Sequence, residues 1–66
     1  DLYNPIKAGL EYFYPHLSPG GVIFIHDYNH KWEGLMKAVD EFAATIPEKL
    51  ILVPDLDSTV MIVKSR

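Results

Sequence analysis

The sequence predicts an α/β fold with elements in the order α-β-α-β-β, a three-stranded mixed sheet with helices packed on it. Three observations predict it. A short apolar run at residues 22–25 follows a Gly-Gly turn and stops at a polar cluster, 26–29. Two stretches, one on each side of that run, repeat apolar residues every three or four positions, the helical period. Two more short apolar runs then close the chain around a polar turn.

The first helix has a start signal in Asn4, a good N-cap, and Pro5, suited to the first helical position. Ile6, Leu10, Phe13 and Leu17 form its apolar stripe, while Gly9 faces elsewhere and weakens it slightly. Pro15 biases Tyr14 away from helical geometry, so the helix should fray there. Residues 18–21, Ser-Pro-Gly-Gly, are a turn. The run 22–25 contains β-branched and aromatic members and reads as a strand buried on both faces. Strands of that kind belong to sheets covered by helices on both sides. Ligands of open α/β sheets bind beyond the carboxyl ends of the strands, which is where His26, Asp27, Tyr28 and Asn29 fall.

A second helix should start near Trp32, with Leu35, Met36, Val39, Phe42, Ala43 and Ile46 on one broad face and Pro47 ending it. Glu33 and Lys37 are spaced to pair on its exposed side. The run 50–53 suits a sheet interior, 54–58 is a polar turn, and 59–63 is a last strand. A five-residue connection permits a hairpin and is too short for a parallel crossover.

Sixty-six residues allow one small domain, here a single partial domain. A chain this short buries only about 60% of its unfolded surface and needs a metal, a partner or further chain to be robust. There is no cysteine, hence no disulfide and no thiolate metal site. No apolar run approaches the ~20 residues that span a bilayer, and no signal peptide is visible. The expected compartment is the cytoplasm. The net charge is −3 and the six basic residues are scattered, which disfavours nucleic acid as a partner, and nothing points to a membrane. The chain opens at Asp1, without a methionine and almost inside a motif, and so reads as the C-terminal part of something longer.

Four motifs then stand in order: D-L-Y-x-P at 1–5, Y-P-H-L-S-P-G-G at 14–21, H-D-Y at 26–28 and G-L-M-K-A-V-D-E-F at 34–42. Together they resemble the macrocin O-methyltransferase family of class I S-adenosylmethionine-dependent methyltransferases, which act largely on sugar hydroxyls. The resemblance covers nearly the whole chain. It implies the C-terminal half of a Rossmann-like methyltransferase fold, in which the last strand is antiparallel and inserts between the two before it. It also implies S-adenosylmethionine as cofactor of the parent enzyme, a divalent metal, typically magnesium, and a small-molecule hydroxyl acceptor. By position Asp1 matches the family's base and Asp27 a metal ligand, while His26 stands where many members carry a second aspartate. Magnesium prefers oxygen ligands and imidazole suits zinc, manganese or iron better, so a different metal, an altered site or none remain open. The family's glycine-rich cofactor loop is not among these residues. Gly20-Gly21 precedes a strand, the wrong context for it. The isolated chain is therefore expected to be inactive.

Each candidate also has a plainer reading. Asp27 reads as a metal ligand or as a turn residue after a strand. His26 reads as a metal ligand or as a hydrogen-bonded structural group. Tyr28 and Asn29 suit the lining of a substrate pocket and are equally ordinary loop residues. Trp32 stacks on a sugar or covers a helix start. Asp55 and Asp57 bracket a turn, and a calcium ion there would need several more oxygen ligands. The rival to the enzyme is a non-catalytic α/β module for structure or self-association, a homo-oligomer or one part of a larger fold.

Overall fold

In the computed structural model, residues 2–66 are described. The elements are α1 (Tyr3–His16), β1 (Val22–Ile25), a 3₁₀ turn (His30–Trp32), α2 (Glu33–Ala43), β2 (Ile51–Leu52) and β3 (Val60–Val63). The sheet order is β1-β3-β2, so the last strand lies in the middle. Both of its pairings are antiparallel, with Ile25 opposite Val60, Val22 opposite Val63, and Leu52 also opposite Val60. β1 and β2 run in the same direction but share no ladder. The sheet is antiparallel in every hydrogen-bonded pair, not mixed as expected, because β3 separates the two parallel members.

One core holds the layers together. Leu10 of α1, Leu35, Val39 and Phe42 of α2, Ile25 of β1, and Val60 and Ile62 of β3 are all buried and in contact. Val39, Val60 and Ile62 are wholly enclosed, each contributing about 1.5–3 kcal/mol relative to exposure. Both helices lie against the same face of the sheet. That corrects the expectation of a strand buried on both faces. Ile23 and Ile25 point at the helices, but Val22 is 40% and Phe24 59% exposed on the opposite face. Alternation along a strand explains it: successive side chains leave opposite faces, and only one face is covered. β2 is likewise an edge strand with Ile51 and Leu52 exposed, not the sheet interior expected for 50–53.

α1 begins earlier than its sequence signals suggest. Leu2 is the cap residue, its carbonyl accepting from Ile6 N–H at 3.1 Å, and Asn4 lies inside the first turn. Pro5 is tolerated there because the first four N–H groups of a helix have no intrahelical acceptor. The helix also runs past Pro15 to His16 instead of fraying at Tyr14. The Lys64 ammonium donates to the carbonyls of Tyr14 and Leu17, each at 3.0 Å, and so satisfies the end of the helix. The buried stripe is Ile6, Leu10 and Tyr14, while Phe13 is exposed. α1 and α2 are joined by Tyr3, which donates to Glu41, and by the Lys7–Glu41 ion pair at 3.1 Å. Lys37 lies over the Tyr3 ring, 5.4 Å from its centroid, rather than pairing with Glu33. Among the described residues, no helix is long and apolar enough to cross a membrane.

Candidate functional site

β1 ends at Ile25, and the chain must then turn toward α2. Asp27 takes a left-handed conformation (φ +64°), which aspartate tolerates better than most residues. Asn29 N–H donates back to the Asp27 carbonyl at 2.9 Å, tightening the turn. The Asn29 side chain caps the 3₁₀ turn by accepting from Lys31 N–H at 2.9 Å. Tyr28 reaches α2 and donates its hydroxyl to Asp40, which pushes the phenol up to about 12. The polar groups of the two residues expected to line a substrate pocket, Tyr28 and Asn29, thus carry structural hydrogen bonds.

The turn between β2 and β3 comes up beside this tip. Asp27 N–H donates to the Asp57 carbonyl at 2.8 Å and Tyr28 N–H to the Ser58 carbonyl at 3.0 Å, tying the tip to the turn outside the regular ladder. Within the turn, one carboxylate oxygen of Asp55 accepts from the N–H groups of Asp57 and Thr59, both at 3.1 Å. Hydrogen bonding with Thr59, first, and then the Asp57 N–H and the nearby His26 hold the Asp55 carboxyl below its ordinary value. Thr59, 3% exposed, places its hydroxyl 2.9 Å from Nδ1 of His26.

These contacts gather three ligand-bearing side chains. His26, Asp55 and Asp57 are all exposed, and one donor atom from each lies within 4.8 Å of the other two. Asp27, next to His26 in sequence, is not a member of that group; it lies beyond β1 in a left-handed turn conformation. Of the residues singled out in the sequence, His26 therefore joins a potential cation-binding group. Asp27 stands beside it, and Asp1 lies outside the described residues. The grouping of Asp55, Asp57 and Thr59 with His26 was not read from sequence. The antiparallel register is the signal that finds it: with Ile25 opposite Val60, His26 must face Thr59.

A groove of about 530 Å³ runs between α1 and the free edge of β1. Its walls include Ile6, Leu10, Phe13, Ile23 and Phe24, with His26 where the strand ends. Trp32, half-exposed, borders a smaller hollow with Leu2 and Leu35 and covers the start of α2.

Neither a curated protein nor a solved structure matches the chain. Among known protein families, one described as macrocin-O-methyltransferase (TylF) matches residues 1–61. That match takes in both helices, β1, β2, the Asp55–Asp57 turn and the start of β3. The chain belongs to the macrocin-O-methyltransferase (TylF) family of O-methyltransferases.

Proposed function

We propose that this chain is the acceptor-side half of an S-adenosylmethionine-dependent, metal-assisted O-methyltransferase, with sugar hydroxyls the first acceptor class to test. The observation that carries the reading is the family match over residues 1–61 together with a polar strand tip, residues 26–29, at the carboxyl end of β1. The β1-β3-β2 order, with an antiparallel last strand between two strands of common direction, supports a C-terminal half of a Rossmann-like sheet.

The donor set fits a divalent cation: an imidazole and two carboxylates, whose two negative charges match it. A cation bound at the tip of β1 would lower the pKa of the acceptor hydroxyl. His26 and Asp27 occupy the family's ligand positions, and Asp1 the position of its base. The S-adenosylmethionine would supply the methyl group, its sulfur keeping the electron pair of the broken carbon–sulfur bond as the acceptor oxygen takes the carbon, and Asp1 would accept the hydroxyl proton. Tyr28 and Asn29 hold the loop around the tip through the Asp40 carboxylate and the Lys31 N–H. Alone, the 66 residues are proposed to be inactive. Gly20-Gly21 joins a helix to a strand, whereas cofactor loops of this fold class join a strand to a helix.

The test is mass spectrometry of products from the native protein that carries this chain, given S-adenosylmethionine, a divalent cation and a panel of sugars. Acceptor-dependent S-adenosylhomocysteine with an O-methyl product is expected. Methylation at nitrogen or carbon only, or none on any hydroxyl, overturns the reading.

A second reading, self-association, is favoured by a specific observation. β1 pairs on one side only, and Phe13, Val22 and Phe24 are exposed around that edge. Light scattering of the chain at micromolar concentration is expected to give a mass above 7.5 kDa; a monomer mass counts against it.

A further inference from the structure

From the geometry we infer that this chain pairs with a second copy of itself along the free edge of β2, antiparallel and centred on Leu52, joining two three-stranded sheets into one of six strands. This rests on the self-association reading for the fact that copies meet, and places the contact on the opposite edge of the sheet from β1.

β2 is the outer strand of the β1-β3-β2 order, and its far side has no neighbour among the described residues. Leu52 is 74% exposed there, Ile51 is exposed beside it, and Leu56 in the following turn is fully open to solvent. An apolar edge with no charge from residue 50 to 54 is a template for another strand. Its main chain is set for one kind of pairing. Val53 N–H donates to the Thr59 carbonyl at 2.9 Å and Ile51 lies opposite Met61, so residues 51 and 53 turn their N–H and C=O groups toward β3. By alternation Leu52 turns both of its own outward. Two copies related by a twofold axis can therefore exchange a pair of hydrogen bonds at Leu52.

The side chains select that register. Residues 49–55 read Lys-Leu-Ile-Leu-Val-Pro-Asp, a cation, five apolar residues and an anion. Antiparallel pairing centred on Leu52 sets Leu52 opposite Leu52, Ile51 opposite Val53, Leu50 opposite Pro54 and Lys49 opposite Asp55. Each apolar side chain meets another and each charge meets its opposite. Lys49 has no hydrogen bond or ion pair among the described residues, so its charge is free for this contact. A parallel pair would set Lys49 against Lys49, and centring on Ile51 would set it against Val53. The edge thus matches its own copy in charge as well as in apolar surface. Pro54 has no N–H, so the ladder ends there. The twofold uses the β2 edge of both copies, and the contact closes at a dimer. Burial on the order of 500 Å² per copy, the low end for specific interfaces, implies a weak, micromolar dimer.

The experiment is sedimentation equilibrium of the chain at micromolar concentration, with Leu52→Lys and Phe24→Lys as the two edge variants. Both positions are exposed, and circular dichroism checks that each variant folds. The unaltered chain is expected at twice 7.5 kDa. Leu52→Lys sets like charges opposite each other and should raise the dissociation constant about tenfold or more, whereas Phe24→Lys should leave it unchanged. Oxidation reads the register. The chain has no cysteine, and the pair Ile51–Val53 would bring Cα atoms to about 4.5 Å, within reach of a disulfide. An equimolar mixture of Ile51→Cys and Val53→Cys chains should give mostly the mixed disulfide. A Leu52→Lys chain that associates as tightly as the unaltered one, or disulfides mostly between like chains, overturns the inference. A dimer lost with Phe24→Lys and kept with Leu52→Lys refutes it and leaves the self-association reading standing. A monomer throughout the micromolar range refutes both.

Discussion

Nδ1 of His26 lies 2.9 Å from the hydroxyl of Thr59, and this contact links the residue after β1 to the residue before β3. The histidine is exposed and the threonine buried, so the core side of the pair sets the direction of the surface side. Thr59→Val keeps the shape and removes the hydroxyl. It should cost about 0.5–1.5 kcal/mol in urea unfolding, since the freed ring nitrogen can turn to water. Affinity for Mn²⁺ should fall by about tenfold or more in the same variant. Unchanged affinity would mean that the ring needs no such support.

Acid should unfold the chain through Glu48. Its carboxylate accepts from the Ser65 hydroxyl, from Tyr14 and from the Ser65 N–H, and these hold it down to about 2 from an ordinary 4.5. A lowered folded-state value contributes stability that is present above about 4.5 and is lost as the pH falls toward about 2. Melting temperature should therefore drop across that window, and Glu48→Gln should flatten the drop. An equal slope in both proteins would assign the acid transition elsewhere.

Three glycines should respond differently to alanine. Gly20 has φ +85°, so Gly20→Ala should cost about 1–2 kcal/mol. At Gly21 a Cβ would meet the Ser18 carbonyl oxygen at 2.9 Å and the Leu17 side chain at 2.7 Å, so that turn must shift and Gly21→Ala should also destabilise. Gly9 sits inside α1 with nothing within 4 Å, and Gly9→Ala should stabilise by about 0.5–1 kcal/mol. Thermal melts of the three variants give the signs.

Helix α1 should depend on a residue nearly fifty positions away. Lys64→Met removes the donor to Tyr14 and Leu17 and the cation lying 4.6 Å from the centre of the Tyr14 ring. Amide exchange at residues 16 and 17 should quicken while that of Val39 stays slow. Stability should fall by about 1 kcal/mol, the part-exposed setting keeping the loss small. Exchange unchanged at the end of α1 would show that Pro15 is accommodated without the lysine.

Much of the architecture could be read before any coordinates. The bounds of β1 fell at 22–25, and the start of α2 and the closing hairpin lay close to where periodicity and turn residues put them. α2 stops at Ala43, however, before Ile46 and the Pro47 expected to end it. What periodicity cannot report is how many faces of a strand are covered. Val22, Ile23, Phe24 and Ile25 are all apolar, so nothing in the run marks Val22 and Phe24 as the open side. The placement of β3 in the middle likewise depends on pairing across more than thirty residues, beyond the reach of local pattern. The site shared that difficulty. His26 and Asp27 stood out as neighbours in sequence, but Asp27 turns in a left-handed conformation, and the partners His26 meets arrive from a turn that local reading treated as a connection. Pro15 misled for a related reason, since the lysine that secures the helix end comes from the far terminus.

The most direct measurement of the central claim, that the tip of β1 is the reacting centre, is the rate of S-adenosylhomocysteine release by the native protein carrying His26→Gln with Asp27→Asn. Circular dichroism should show the fold intact, because neither side chain belongs to the core. A loss of about 100-fold or more is predicted, the scale of a displaced cation that no longer eases loss of the hydroxyl proton. A rate near that of the unaltered protein would contradict the account.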